Sequence, residues 1–247
     1  MPWRKHGYAK HLIPMVPVGR IAATTPAQIK DYLDKVKLFE ADQNLVGDPY
    51  QTIDQKLWTK ELLHLGGGNN SSEQATFKFY LESFEDIVRD TLYGGNVTSF
   101  FKNSSNPIQI AQSNYLSARI DQGISLLTFF GHSSPNSFDF TIDDPNNYNN
   151  SPRFPFILSN GCYSGNIFNP DPGISEEFIF AQNKGAIAFL ATTALSSSNG
   201  LSTYSRNFYF NFGQQHYHNT VGQIMRRTIE DIENCCNSSF NRMVAQD

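Results

Sequence analysis

The sequence predicts an α/β domain with a mostly parallel β-sheet covered by helices on both faces. Three apolar runs, at residues 124–130, 154–158 and 185–192, lack the polar alternation of a half-exposed strand, which is typical of strands buried on both sides. Helical patterns alternate with short apolar runs along the chain, as they do where helical crossovers join parallel strands. The chain has 247 residues, enough for a substantial core, and we interpret residues 1–247 as a single domain.

The composition excludes several classes of protein. Hydrophobic residues make up 39% of the chain and aromatic residues 13%, which argues against intrinsic disorder. The formal net charge is −4, so we expect no basic surface for nucleic acid. No apolar run approaches the roughly 18 residues that span a bilayer. Residues 1–20 lack the apolar centre of a signal peptide, so we expect either a cytosolic protein or a piece of a longer exported chain.

The first part of the chain predicts a short strand followed by an amphipathic helix. Residues 12–21 are largely apolar but contain two prolines, which favours an irregular or edge strand because proline has no amide to donate. Thr25 can cap the next helix, Pro26 suits its first position and Gln28 completes a capping box. Apolar residues then recur near helical spacing, which predicts a helix over residues 26–41.

Strands and helices alternate through the rest of the first half. A short apolar strand at residues 61–65 runs into three consecutive glycines. Ser71 or Ser72 is placed to cap a long helix that ends at Gly94. The other elements predicted in this half are a loop over 43–57, a strand over 97–102 and a helix over 109–122.

Two of the three apolar runs in the second half end in glycine-containing loops with reactive side chains. His132 follows the run at 124–130, and Cys162 follows the run at 154–158. The carboxyl ends of parallel strands meet at one edge of a sheet, where α/β proteins bind their ligands. The other elements predicted in this half are a polar loop over 141–152, a helix over 174–183 and helices at about 200–213 and 219–233.

His132 and Cys162 form the candidate catalytic pair. An imidazole beside a thiol can hold it as the thiolate, the form that attacks a carbonyl carbon. Gly161 and Gly165 allow the backbone around the thiol to turn sharply, and the amides of Cys162 and Ser133 are candidate oxyanion-hole donors. A single cysteine in an apolar context is more often a small core residue. The joint placement of both side chains at two strand ends favours catalysis.

Several motifs in a fixed order point to one family. They are Val18-Gly19-Arg20-Ile21, Leu127–His132, Leu158–Gly165, Ser175–Phe178 and Gly185–Leu190. Together they resemble the gingipain-type cysteine peptidases of the caspase-like clan, over about residues 18–232. The segment Gly131–Pro135 with Asn160–Cys162 looks most like the sortase-like branch of the Bacteroidetes type IX secretion system.

The resemblance implies a three-layer caspase-like sandwich and a cysteine peptidase that hydrolyses or transfers peptide bonds through an acyl-enzyme. It also implies protein or peptide substrates, secretion-system components as partners, and a place outside the cell or on its surface. The alternative is a catalytically inactive scaffold of the same fold in a secretion machine. The family often has glycine where this chain has Ser133, which would be strained if the position needs positive φ. The chain also begins close to the motif at residues 18–21, so we expect a fragment that lacks part of the N-terminal layer.

A carboxylate that orients His132 would complete a triad. Glu73 lies just after the predicted strand end at Gly66–Gly68, which makes it the favoured candidate. The alternative acids are Asp139, Glu176 and Glu177. Of these, Glu176 and Glu177 also fit a structural role, as first-turn residues that complement a helix dipole. A dyad without an acid would also suffice for a thiolate nucleophile.

No cofactor or metal site is predicted. The glycines at 66–68 lack the spacing and the Lys-Ser/Thr pair of a phosphate-binding loop. The pair His216 and His218 matches no zinc-ligand spacing. The loop over 143–150 is rich in Asp and Asn, a composition that can bind calcium, but a solvated loop is the stronger interpretation.

Overall fold

A computed structural model describes residues 13–46, 49–103, 110–140, 142 and 144–235 of the chain. Its seven strands are β1 (Glu61–Gly66), β2 (Asn96–Phe101), β3 (Leu126–Phe130), β4 (Ser133–Ser134), β5 (Ser137–Phe138), β6 (Phe156–Asn160) and β7 (Ala188–Ala191). Five of them form a parallel sheet in the order β2-β1-β3-β6-β7, and β4 pairs with β5 as a small antiparallel hairpin.

Helices precede, connect and follow the strands of the sheet. They are α1 (Pro26–Val46), α2 (Ile53–Lys56), α3 (Ser71–Val88), α4 (Ile110–Gln122), α5 (Ile174–Phe180), α6 (Ser198–Phe210) and α7 (Val221–Cys235). Short 3-10 turns occupy Leu57–Lys60 and Pro145–Asn147, and a π-helical turn over Asn211–Gln215 continues α6. Thr25 and Gln28 form the predicted capping box before α1, with reciprocal bonds between each side chain and the other residue's amide.

The sheet is the middle layer of a three-layer sandwich. Successive side chains of a strand point to opposite faces, and in β3 and β6 both faces are buried. Phe130 and Leu158 pack on the face covered by α3, α6 and α7. Phe129 and Ile157 pack on the other face, which α4, α5 and the loop before β6 cover. The α/β architecture predicted from the apolar runs is therefore confirmed.

Three of the predictions about these elements are wrong, and the physical reasons are local. Residues 13–21 form no strand; instead the Pro17 ring packs so tightly on α7 that a Cβ at Gly222 would lie 2.6 Å from it. The helix predicted to reach Gly94 ends at Val88, because the Gly95 amide donates to the Val88 carbonyl (2.8 Å) and Gly94 turns the chain with φ of 66°. The predicted loop over 43–57 is also partly helical, since α1 runs to Val46 and α2 follows.

A buried lysine ties α1 to the rest of the domain. Lys35 is 1% exposed, and its ammonium donates to the carbonyls of Phe178 (3.2 Å), Ile179 (2.8 Å) and Ala186 (3.4 Å) at the end of α5. Carbonyls at the last turn of a helix lack intrahelical donors, and the negative end of the helix dipole lies there. The ring of Phe154 lies 5.5 Å from the ammonium. Burial lowers the pKa of Lys35 to about 7.

Lys35 is expected to make the stability of the domain depend on pH. Because the pKa of Lys35 is about 7 in the folded state, against 10.5 for an ordinary lysine, the unfolded chain binds more protons between these values. Its contribution to the free energy of unfolding therefore rises as the pH increases from about 7 toward 10.5. Urea unfolding at pH 6.5 and pH 9 should show that rise in the parent but not in Lys35→Met. Lys37→Met, which removes an exposed charge, is the matched control. If the free energies of unfolding of the parent and Lys35→Met differed by the same amount at both pH values, Lys35 would have to stay charged.

Candidate active site

The register of β3 and β6 brings the histidine and cysteine loops together. Phe130 pairs with Asn160 at the carboxyl ends of these adjacent parallel strands. His132 and Cys162 each follow two residues later. The Gly131 amide continues the ladder with a bond of 3.1 Å to the Asn160 carbonyl. The two loops therefore leave the sheet side by side at one edge.

His132 is held by a carboxylate from α3. Its Nε2 lies 2.9 Å from Oε2 of Glu73, and its ring centroid lies 6.0 Å from that of Phe77 on the same helix. A carboxylate only accepts hydrogen bonds, so Nε2 donates and the neutral ring carries its lone pair on Nδ1. The hydrogen bond from His132 lowers the pKa of Glu73, and a further bond from the Asn69 amide (2.9 Å) acts in the same direction.

The start of α3 fixes where Glu73 points. Asn70 is the N-cap, and its side chain accepts the Glu73 amide at 3.0 Å. This bond satisfies one of the free amides of the first turn and places Glu73 at the third helical position. The sequence prediction put the cap one or two residues later, at Ser71 or Ser72. The carboxylate is held both by the turn before the helix and by the imidazole.

Two hydroxyl groups hold the backbone around Cys162. Thr192 Oγ1 donates to the Gly161 carbonyl, and Ser133 Oγ donates to the Cys162 carbonyl, each at 2.7 Å. A Cβ at Gly161 would lie 2.1 Å from the Ser133 hydroxyl, so only glycine fits beside this serine. In a trans peptide the C=O and N–H point in opposite directions. The Cys162 amide therefore points away from Thr192.

The residue after the cysteine adopts a strained conformation. Tyr163 has φ of 60°, in a region that few residues other than glycine adopt, and its amide donates to the Ala194 carbonyl at 3.1 Å. Such strain is concentrated at functional sites, where the surrounding structure enforces it. Cys162 is half-buried, and its thiol donates to the Ser196 carbonyl at a sulfur–oxygen distance of 3.6 Å. No hydrogen bond joins the thiol to the imidazole within the described part of the chain.

Ser133 takes the place of the family's usual glycine without strain. It has an ordinary negative φ, since the described non-glycine residues with positive φ are Tyr163 and Asn183. The Asp139 amide donates to the His132 carbonyl at 2.8 Å, which makes these two a hydrogen-bonded antiparallel pair. The next pair, Ser133 with Phe138, is then non-hydrogen-bonded. The Ser133 amide consequently points away from β5.

The alternative acids lie in other settings. Asp139 Oδ2 accepts the Gly68 amide at 2.7 Å, and no described residue donates to its buried Oδ1. Glu176 accepts the Gly173 amide at 2.7 Å at the start of α5. Glu177, one residue further on, lines a surface groove with Asp144. Of the four predicted carboxylates, Glu73 is the one in contact with His132.

The described residues contain neither a cluster of potential metal ligands nor a helix that could span a membrane. Across the described ranges no group of three or more His, Cys, Asp or Glu side chains is arranged to hold a metal ion. Asp143, at the start of the loop predicted as a possible calcium site, lies outside the described residues. Among the helices that the structure describes, none is both long enough and apolar enough to cross a bilayer.

Three solved structures share this fold. The crystal structure of the Arg specific cysteine proteinase gingipain R matches with a TM-score of 0.70 and 17% identity, over 96% of this chain and 54% of that one. The complex of Porphyromonas gingivalis RgpB pro- and mature domains matches at 0.69 and 16%, over 96% and 55%. A structure described as a protease matches at 0.64 and 16%, over 90% and 52%. The chain thus spans about half the length of the solved structures that it matches.

Sequence comparison supplies the family. No curated protein sequence matches the chain. The family model of peptidase family C25 matches residues 7–246, which is nearly the whole chain and includes both the histidine and the cysteine loops. The chain therefore belongs to peptidase family C25.

Proposed function

We propose that this domain is a cysteine peptidase in which Cys162 is the nucleophile, His132 the general acid and base, and Glu73 the residue that orients the imidazole. The observation that carries the proposal is the bond between His132 and Glu73, at the sheet edge where the cysteine loop also emerges. This arrangement supplies a nucleophile, a base and an orienting carboxylate, the three roles that covalent acyl transfer requires.

The first half of the reaction forms an acyl-enzyme. Glu73 holds the Nε2–H of His132, so Nδ1 is the free base that takes the thiol proton. The thiolate sulfur attacks the carbonyl carbon of the scissile peptide bond, and the carbonyl oxygen becomes an oxyanion. The Cys162 amide points away from Thr192, and the Ser133 amide points away from β5. These two amides are the proposed hydrogen-bond donors to the oxyanion. The imidazolium then protonates the leaving amine as the C–N bond breaks.

The second half releases the acyl group from the sulfur. Water, deprotonated by His132, attacks the thioester and gives a carboxylic acid, which is hydrolysis. An amine that attacks in place of water gives a new peptide bond, which is transpeptidation. Both outcomes regenerate the thiol and use the same residues. The segments Gly131–Pro135 and Asn160–Cys162 resemble the sortase-like branch, which favours transpeptidation. We include membership of that branch in the proposal, together with a location outside the cell or on its surface.

A second candidate function is a catalytically inactive scaffold in a secretion machine. The observation that favours it is the hydrogen bond from the Cys162 thiol to the Ser196 carbonyl instead of to the imidazole. Unliganded enzymes, however, often have loose catalytic hydrogen bonds that form fully only with substrate. The two candidates therefore differ in the reactivity of the thiol more than in the static geometry.

Selective alkylation separates the two candidates. If the domain is a peptidase, iodoacetamide at mildly acidic pH should modify Cys162 faster than the other cysteines, because only a thiolate reacts quickly at that pH. This modification should abolish activity toward a peptide library. Mass spectrometry of tryptic peptides gives the site and rate of labelling. Equally slow labelling of all three cysteines, with no cleavage or transfer of any library peptide, would establish the scaffold and refute the peptidase.

A further inference from the structure

Asp139 connects the loop that carries His132 with the loop that precedes Glu73, although it makes no hydrogen bond with either side chain. We infer that Asp139 is a positioning residue that sets the distance and angle between Glu73 and His132 by holding the β1–α3 loop against the loop after β3. The inference rests on the proposed function for its catalytic consequence. Its structural part, the fixed position of Glu73, is testable without any substrate.

Asp139 makes one polar contact with each loop. Its backbone amide donates to the His132 carbonyl at 2.8 Å, which fixes the peptide unit directly after the imidazole-bearing residue. Its carboxylate oxygen Oδ2 accepts the Gly68 amide at 2.7 Å. Removing the carboxylate leaves the Gly68 amide without this acceptor.

The other carboxylate oxygen fills the space between the loops. A Cβ at Gly67 would lie 2.1 Å from Oδ1, and a Cβ at Gly131 would lie 2.5 Å from it. Both values are below the closest approach of real carbon and oxygen atoms, so the carboxylate lies directly against both glycine backbones. Oδ1 is buried, and no described residue donates a hydrogen bond to it. Its contribution is therefore steric, a fixed spacer between the ends of β1 and β3.

The contacts continue from Gly68 to the orienting carboxylate. The next amide along the chain, that of Asn69, donates to Glu73 Oε2 at 2.9 Å, and the same oxygen lies 2.9 Å from His132 Nε2. These hydrogen bonds form a closed ring. It runs from the His132 backbone through Asp139, Gly68, Asn69 and Glu73, and returns to the His132 imidazole. Fixing one side of the ring restricts the other side. Asp139 thus acts on the imidazole through Glu73.

The ring predicts different outcomes for two substitutions. Asp139→Asn retains the shape and one oxygen that can accept the Gly68 amide, so kcat/KM should stay within about threefold of the parent. Asp139→Ala removes both the acceptor and the spacer, so the Gly68 loop and Glu73 can shift. Because misplacement of a catalytic group by about 1 Å can cost about 10²-fold, kcat/KM should fall about 10- to 100-fold.

The test combines a titration with a double-mutant cycle. Carbon-detected NMR of the Glu73 carboxyl should show its pKa rising toward the ordinary value in both Asp139→Ala and His132→Ala. The pKa should stay low in Asp139→Asn. In a Glu73→Gln background, Asp139→Ala should reduce kcat/KM by less than about threefold, because the pair it positions is already lost. Thermal melts of each variant report folding, and Asp139→Ser, too short to reach the Gly68 amide, replaces Asp139→Ala if that variant does not fold.

Three results would overturn the inference. An unchanged Glu73 pKa in the folded Asp139→Ala or Asp139→Ser variant would show that Asp139 does not position the pair. Independent losses that multiply in the double variant would show the same. A loss in Asp139→Asn as large as that in Asp139→Ala, with a changed pH–rate profile, would make Asp139 a proton-transfer group instead. Absence of turnover in the parent would refute the proposed function, and the Glu73 titration would still decide the inference.

Discussion

Cys162→Ala is expected to abolish peptide cleavage, with a loss of at least about 10⁴-fold in turnover, while the melting temperature stays nearly unchanged. The rate loss follows because the proposed acyl-enzyme forms on the Cys162 sulfur, which this substitution removes. The stability is retained because the thiol is half-buried and makes one long bond, to the Ser196 carbonyl. The backbone around it is held instead by the hydroxyls of Thr192 and Ser133.

His132→Ala tests the same site from the other side. The loss of general acid–base catalysis is expected to lower turnover by about 10²–10⁴-fold. It should also slow alkylation of Cys162 at mildly acidic pH, since the imidazolium that stabilises the thiolate is removed. His218→Ala is the matched control, because the neighbouring Tyr217 contacts Lys60, just before β1, at the opposite edge of the sheet.

Peptide cleavage by these variants, measured beside thermal melts, checks the prediction. Cys235→Ala and Cys236→Ala should leave the rate unchanged, since the sequence places both cysteines in a polar segment away from the motif; the Cys235 side chain and all of Cys236 lie outside the described part of the structure. Full activity in a folded Cys162→Ala variant would refute the assignment of the nucleophile. A large drop in its melting temperature would show that the thiol is a core residue.

Phe130→Ala is expected to lower the free energy of unfolding by roughly 3–5 kcal/mol. Phe130 is 1% exposed in the central strand β3, and its ring centroid lies 5.1 Å from that of Phe77, 5.2 Å from Tyr80 and 6.5 Å from Phe84. Truncation removes these contacts and leaves a cavity between β3 and α3 that rigid neighbours cannot fill. A loss of this size is a large fraction of the 5–15 kcal/mol that typically stabilises a domain.

Urea unfolding measures the effect, and an exposed phenylalanine of α3 provides the control. Phe79 is 66% exposed, so Phe79→Ala should change the free energy of unfolding by less than about 0.5 kcal/mol. Activity should fall together with stability only in Phe130→Ala, because Phe77 packs against both the Phe130 ring and the imidazole. If Phe130→Ala unfolded at the same urea concentration as the parent, the placement of β3 in the core would be wrong.

The sequence alone determined the class of fold and the position of the reactive pair. A run such as 124–130 has no polar alternation, which is typical of a strand buried on both faces. Because parallel strands end at one edge, the residues that follow two such runs had to emerge together. That reasoning needs only local chemistry. It placed His132 and Cys162 at the same edge, and the register of Phe130 with Asn160 agrees.

The choice among the carboxylates required the strand order. Glu73 lies just after a predicted strand end, whereas Glu176 and Glu177 begin a predicted helix. Position along the chain does not give the distance of any of these carboxylates, or of Asp139, from His132. The sheet places β1 directly beside β3, which brings the start of α3 to the imidazole, whereas Glu176 accepts the Gly173 amide at the start of α5. Sequence position favoured Glu73, but only the pairing of β1 with β3 puts its carboxylate 2.9 Å from the ring.

Tertiary structure also decided features that leave no local signal. β7 was predicted as a fully buried strand, yet all of its residues are partly exposed because it lies at an edge of the sheet. Lys35 has the charge of a surface residue, and its burial depends on how α1 meets α5. The same holds for the Ser133 hydroxyl, which reaches the Cys162 carbonyl only because β3 and β6 are neighbours. Patterns of hydrophobicity record which faces are buried, whereas contacts between distant segments depend on how those faces are assembled.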